Sequence, residues 1–121
     1  MNALVVDDSN TMCEMVSLKL RELGFEVFTA CDGQVALDIV EKQKLDLIIT
    51  DINMPNMDGI ELIRHLRTET DCKFTPIIVL TTEGGDNAKQ KGKEVGATGW
   101  IVKPFRPKVL EAAVTKVCGL R

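Results

Sequence analysis

Short apolar runs alternate with longer stretches in which apolar residues recur every three or four positions, and the alternation repeats five times along the chain. Ala3–Val6, Glu26–Ala30, Leu47–Thr50, Ile77–Leu80 and Gly99–Val102 read as strands, most of them rich in Val, Ile and Leu. Such runs suit strands covered on both faces of a parallel sheet. Between them, Met12, Val16, Leu20 and Leu23 mark one inward helical stripe, and Val109, Leu110, Ala113, Val114 and Val117 mark another. Gly24 is placed to end the first helix, Asp32-Gly33 and Asp58-Gly59 to begin the second and third, and Pro76 to precede the fourth strand.

The fourth helix, about Asn87–Val95, carries a thin stripe of Ala88, Gly92 and Val95, with Lys89, Gln90, Lys91 and Lys93 facing outward. A mid-helix glycine costs about 1 kcal/mol relative to alanine, so this helix is expected to be the loosest. Five strand–helix units joined by right-handed crossovers predict a doubly wound α/β domain with a five-stranded parallel sheet and five helices. In such folds ligands bind beyond the carboxyl ends of the strands. The polar residues expected there are Asp7, Asp8, Asp51, Thr81, Thr82 and Lys103.

The length of 121 residues suits one domain, expected to span 1–121 without an attached effector. The first apolar run is four residues long and ends in Asp7-Asp8, which excludes a signal peptide or membrane span there and makes a cytoplasmic location the expectation. Cys13, Cys31, Cys72 and Cys118 are widely separated, without a CxxC pair, and read as reduced, mostly buried small apolar residues. The net charge of −3 is unevenly spread: from Asp86 to Lys108 there are six basic residues and two acids, a net of +4, which leaves −7 elsewhere. An acidic chain with one basic stretch argues against nucleic-acid binding and for docking of an acidic protein segment.

Carboxylates gathered at one sheet edge repel one another unless a cation or a proton intervenes. Oxygen donors of this kind suit Mg²⁺, or Mn²⁺, which polarises a phosphoryl oxygen. Asp51 is then placed to act as a nucleophile toward an activated phosphorus, with Lys103 and the Thr81 hydroxyl each meeting one phosphoryl oxygen. Taken singly, the same residues have plain structural uses. Asp7-Asp8-Ser9 suits a helix cap, Asp51 and Lys103 suit solvated loop positions, and Thr81-Thr82 suits a strand end. Their joint placement at the ends of different strands carries the functional reading.

The segments LVVDDS, IITDINMPNMDG, VLTTEG and WIVKPF, in this order over essentially the whole chain, strongly resemble the response-regulator receiver family and within it the stand-alone chemotaxis regulators. The resemblance implies a flavodoxin-like strand order of 2-1-3-4-5. It also implies phosphorylation of Asp51 by a sensor histidine kinase. Asp8 and Asp51 are then direct metal ligands, Asn53 contributes its carbonyl, and Asp7 binds directly or through water. It implies a cis peptide before Pro104. Asn53, Thr82 and Glu83 are implied to set the lifetime of the signal, and Trp100, where Tyr or Phe is usual, to be the ring that moves inward on activation.

Output then passes through the face of helix 4, strand 5 and helix 5 to a protein target such as a flagellar motor switch protein, with a phosphatase as a further partner. On this reading the chain is a monomeric switch that catalyses its own phosphotransfer and dephosphorylation rather than an enzyme. A phosphorelay intermediate serving a histidine phosphotransfer protein stays open. An aspartate-nucleophile phosphohydrolase fits less well, because a second acid is usual where Asn53 stands. A flavin carrier fits poorly with Asp7-Asp8 after the first strand and no tyrosine. His65 reads as a surface residue, Met12 and Met15 as core filling, and Met54 and Met57 as loop residues beside the acceptor.

Overall fold

The computed structural model describes residues 1–82 and 84–120, so Glu83 lies outside the described residues. Five parallel strands, β1 (Asn2–Val6), β2 (Glu26–Ala30), β3 (Leu47–Thr50), β4 (Ile77–Thr81) and β5 (Gly99–Val102), lie in the order β2-β1-β3-β4-β5. The helices are α1 (Asn10–Glu22), α2 (Gly33–Lys42), α3 (Gly59–Glu69), α4 (Asp86–Val95) and α5 (Pro107–Cys118). The two-residue period of the strands sorts the core into two layers. Ala3, Val5, Leu47, Ile49, Ile78 and Leu80 face α1 and α5, where Val16, Leu20, Leu110 and Val114 cover them. Leu4, Val6, Ile48, Ile77 and Val79 face the other side, against Ala36 of α2 and Leu62, Ile63 and Leu66 of α3.

The expected element order and the helix-start signals hold. Asp32 and Asp58 cap α2 and α3 by accepting from the amides of Val35 and Glu61 at 2.9 and 2.8 Å, and Gly24 follows α1 in the left-handed region at φ 95°. Three expectations need correction. Burial on both faces is confined to β1, β3 and β4, because β2 and β5 are the sheet edges and stay partly exposed. Met15 and Val109 point outward, each 47% exposed, since they fall a third of a turn off their helices' inward stripes. Cys31 is exposed just past the edge strand β2, whereas Cys13 and Cys72 are buried and all four thiols are free. His65 lies at the surface as expected, partly exposed and paired with Glu69 one turn along α3. No helix among the described residues is long and apolar enough to cross a membrane.

One glycine fixes the turn beneath Asp51. The Gly59 amide donates to the Ile52 carbonyl at 2.7 Å, and a Cβ at Gly59 would overlap the Asp51 carbonyl oxygen and lie 2.8 Å from the Ile52 Cα. Backbone cannot rotate aside as a side chain does. Gly59→Ala is therefore expected to lose about 1–3 kcal/mol of unfolding free energy, the usual cost of overpacking. A urea midpoint equal to that of the parent chain would show that the loop yields without cost.

Candidate functional site

Parallel strands bring their carboxyl ends to one edge, and backbone hydrogen bonds set the spacing there. The Asp7 amide donates to the Ala30 carbonyl at 3.1 Å and the Asp51 amide to the Val6 carbonyl at 3.0 Å, which seats the acceptor candidate beside the acid pair. The Lys103 amide donates to the Thr81 carbonyl at 2.7 Å, so the lysine leaves β5 next to the threonine. The peptide between Lys103 and Pro104 is cis, as the resemblance implies. Asp7, Asp51 and Thr81 are buried, Lys103 and Trp100 partly so, and Asp8, Asn53 and Thr82 are exposed.

The Lys103 ammonium sits between two of the carboxylates, 2.8 Å from Asp7 Oδ2 and 3.0 Å from Asp51 Oδ2. The other oxygens are also engaged: Asp7 Oδ1 accepts from the Ser9 amide at 2.9 Å and Asp51 Oδ1 from the Ile52 amide at 2.7 Å. Burial pulls the lysine pKa down, but hydrogen bonds and attraction from Asp7 and Asp51 outweigh it and leave it raised. The stabilisation from this pair is therefore present below the ordinary lysine range and is lost only as alkali titrates the raised group.

The structure separates the two uses weighed for Asp7-Asp8-Ser9. Ser9 caps α1, its Oγ accepting from the Met12 amide at 3.3 Å, and neither acid is spent on the cap. Asp7, Asp8 and Asp51 each place a carboxylate oxygen within 4.8 Å of the others. Three carboxylates against one ammonium leave an excess of two negative charges, which matches a divalent cation. With Asp7 buried and Asp8 exposed, the set opens toward solvent on one side, as a cation that keeps several waters requires. The donors present thus fit Mg²⁺ or Mn²⁺. A cavity of about 550 Å³ runs from Ile52, Asn53 and Asp58 to Asn87, Ala88 and Lys91, joining the acceptor loop to α4.

Two residues near α4 matter more than the sequence suggested. Gly92 faces inward as expected, and the reason is steric: a Cβ there would overlap the Trp100 indole, which is partly buried against the α2–α3–α4 side of the core. The pairing of a glycine with an unusually large ring is visible in sequence only when the two are known to touch. Arg67 gave no signal beyond its place in the last turn of α3. Its guanidinium binds the carbonyls of Cys72, Thr75 and Gly96 at 2.6–3.1 Å, and burial pulls its pKa below the usual value.

A model of the response regulator receiver domain matches residues 3–115. The chain is 40% identical to a chemotaxis protein CheY homolog of Campylobacter jejuni, covering 98% of this chain and 93% of the relative. It is also 40% identical to the probable transcriptional regulator ycf27 of Cyanidium caldarium, but spans only 45% of that protein's length. Among solved structures it is similar to chemotaxis protein CheY4 of Vibrio cholerae, with 48% identity, a TM-score of 0.91, and 96% and 97% of the two chains covered. It is likewise similar to the receiver domain of the sensor histidine kinase PA1611 from Pseudomonas aeruginosa, described with magnesium coordinated in the active-site cleft. There the identity is 27%, the TM-score 0.88, and the coverage 98% and 97%. The site at the sheet edge, the strand order and these likenesses agree, and the chain belongs to the response-regulator receiver family.

Proposed function

We propose that the chain is a phosphoacceptor switch in which a histidine kinase supplies a phosphoryl group to Asp51 and the altered α4–β5–α5 face binds a protein target. The observation that carries this reading is the Asp51 carboxylate itself. It is held on one oxygen by the Ile52 amide and on the other by Lys103, at the mouth of the acid pair. In the transfer an Asp51 oxygen attacks phosphorus, the bond from phosphorus to the donor's imidazole nitrogen breaks, and the imidazole leaves with the bonding electrons. An ionised carboxylate needs no separate base for this step.

Mg²⁺ or Mn²⁺, held by Asp7, Asp8, Asp51 and the Asn53 carbonyl, would offset carboxylate charge and polarise a phosphoryl oxygen. Lys103 keeps its bond to Asp7 and turns from Asp51 to a phosphoryl oxygen, while the Thr81 hydroxyl donates to another. Asp7 thereby acts as the fixed anchor of the lysine. Exposed Lys89, Lys91, Lys93, Lys108 and Lys116 on α4 and α5 suit an acidic partner segment, and exposed Val102 and Val109 add apolar contact.

Likeness to named chemotaxis proteins favours a flagellar motor switch protein as that target. Likeness to receivers of sensor histidine kinases favours a second reading, a relay to a histidine phosphotransfer protein. Immobilised motor-switch peptide and immobilised phosphotransfer domain separate them. On the first reading the Mg²⁺ and beryllium trifluoride form of the chain is retained on the peptide alone, and retention on the phosphotransfer domain alone selects the second.

Incubation with a labelled histidine phosphodonor is expected to load one equivalent on the parent chain and none on Asp51→Ala. Equal labelling of both proteins would remove the acceptor assignment. Mg²⁺ is expected to raise the unfolding free energy by about 2.7 kcal/mol at one hundred times its dissociation constant, since binding only the folded state stabilises it by mass action. Asp8→Asn is expected to lose most of that increment. A magnesium-dependent shift in melting temperature that survives the substitution would place the cation elsewhere.

A further inference from the structure

The two ends of α4 are held very differently. At its C-terminal end, Gly96 caps the helix in the left-handed region at φ 102°, and its carbonyl accepts from Arg67 Nε at 3.1 Å and Nη2 at 2.8 Å. Nη1 of the same guanidinium donates to the carbonyls of Cys72 and Thr75 at 2.7 and 2.6 Å. One side chain thus ties the α4–β5 loop to α3 and to the segment entering β4. Thr98 adds to the tie, its amide donating to the Ile77 carbonyl at 2.7 Å and its Oγ1 accepting from the Ile77 amide at 3.1 Å. One turn back, the Trp100 indole fills the space left by the absent Cβ of Gly92.

Among the described residues, the N-terminal end has no such tie. Gly85 is the cap residue and supplies no side-chain hydrogen bond. A Cβ built on it would meet nothing within 4 Å, and Asp86, Asn87 and Lys89 are exposed. This is also the end nearest the chemistry, because Gly84 lies against Val102, the residue before Lys103, with its Cβ position 3.1 Å from Val102 Cγ2.

We infer that α4 pivots about its C-terminal end, with the Arg67 carbonyl clamp and the Gly92–Trp100 fit as the pivot, and that switching displaces the N-terminal turn. This rests on the phosphoacceptor reading. Arg67 and Gly92 are then positioning residues of the output helix. The indole serves as a fixed bearing under α4, in place of the ring that the resemblance implies moves inward on activation.

Amide exchange resolved along α4, with and without Mg²⁺ and beryllium trifluoride, tests the pivot, while fluorine NMR reports whether the mimic is bound at Asp51. In the parent chain the mimic is expected to change exchange at residues 85–89, to leave residues 92–98 protected, and to leave the emission wavelength of the single tryptophan in place. In Arg67→Met, residues 96–98 are expected to exchange about tenfold faster, as loss of a charged hydrogen-bond set predicts. The response to the mimic then spreads along the whole helix although the fluorine signal persists. A general loss of stability would not redistribute the response in this way. Gly92→Ala is expected to expel the indole and shift its emission to the red without the mimic.

A bound fluorine signal with equal changes at both ends of the parent α4 would overturn the pivot. So would an Arg67→Met profile identical to that of the parent. Absence of a bound signal in the parent would overturn the phosphoacceptor reading instead, and the mimic-free comparison of the two proteins then decides the clamp alone. Should the Met variant not fold, Arg67→Lys retains the charge without the planar fork and is read in the same way.

Discussion

The contact on which the rest depends is the Lys103 ammonium between Asp7 and Asp51. The sheet register forces these carboxylates together whatever their charge, because the Asp51 amide is tied to Val6, the last residue of β1, and Asp7 follows directly. At an effective dielectric near 20, unit charges 4 Å apart interact by about 4 kcal/mol, against roughly 0–1 kcal/mol for an exposed pair. Surface pairs such as Lys19–Glu22 are therefore minor, and the buried lysine decides whether the acid cluster is tolerated. It also leaves that cluster short of positive charge. The same arithmetic that makes the fold acceptable makes the site a candidate cation receptor, so stability and the proposed chemistry share one group.

Most of the fold was legible because its signals are local. A parallel strand buried on both faces needs only a run such as Leu47–Thr50, and a helix start needs only a side chain such as Asp32 or Asp58 that reaches the third residue on. The site was legible for a related reason: Asp7, Asp8, Asp51, Thr81 and Lys103 all stand at strand ends, and the topology gathers strand ends. The apolar runs alone do not mark the edges; only the strand order implied by the resemblance puts β2 and β5 there, and burial read from the runs missed the exposure of Cys31. Helical periodicity finds a stripe but not its borders, which is why Met15 and Val109 were misplaced.

Arg67 and Gly92 escaped for a deeper reason. Among the described residues, the acceptors of Arg67 are main-chain carbonyls apart from the Thr98 hydroxyl, and Gly96 lies 29 residues away; a carbonyl is the same group in every residue and leaves no mark in the sequence. Gly92 looked like a defect, costing helix propensity for no visible return. Its value exists only in relation to Trp100, eight residues later on a different element. A local rule broken at a position of this kind signals a contact that sequence alone does not name.

The same two residues bear on how far a change at Asp51 must travel. Lys103 is tied to Thr81 through its amide, Val102 precedes it, and Gly84 at the approach to α4 rests on Val102. Under the proposed function, the route from Asp51 and Lys103 to α4 is therefore one residue of β5 and one side-chain contact. It enters α4 at the end whose cap residue supplies no side-chain hydrogen bond. A perturbation delivered to the clamped end would have to break the hydrogen bonds of a partly buried guanidinium, each charge-assisted bond worth about 1.5–3 kcal/mol. Delivered to the glycine end, it meets exposed residues and a cap without a side-chain bond. The cheaper motion is the one aligned with the site, and under the proposed function that alignment would carry a small change in lysine partners to the α4–β5–α5 face.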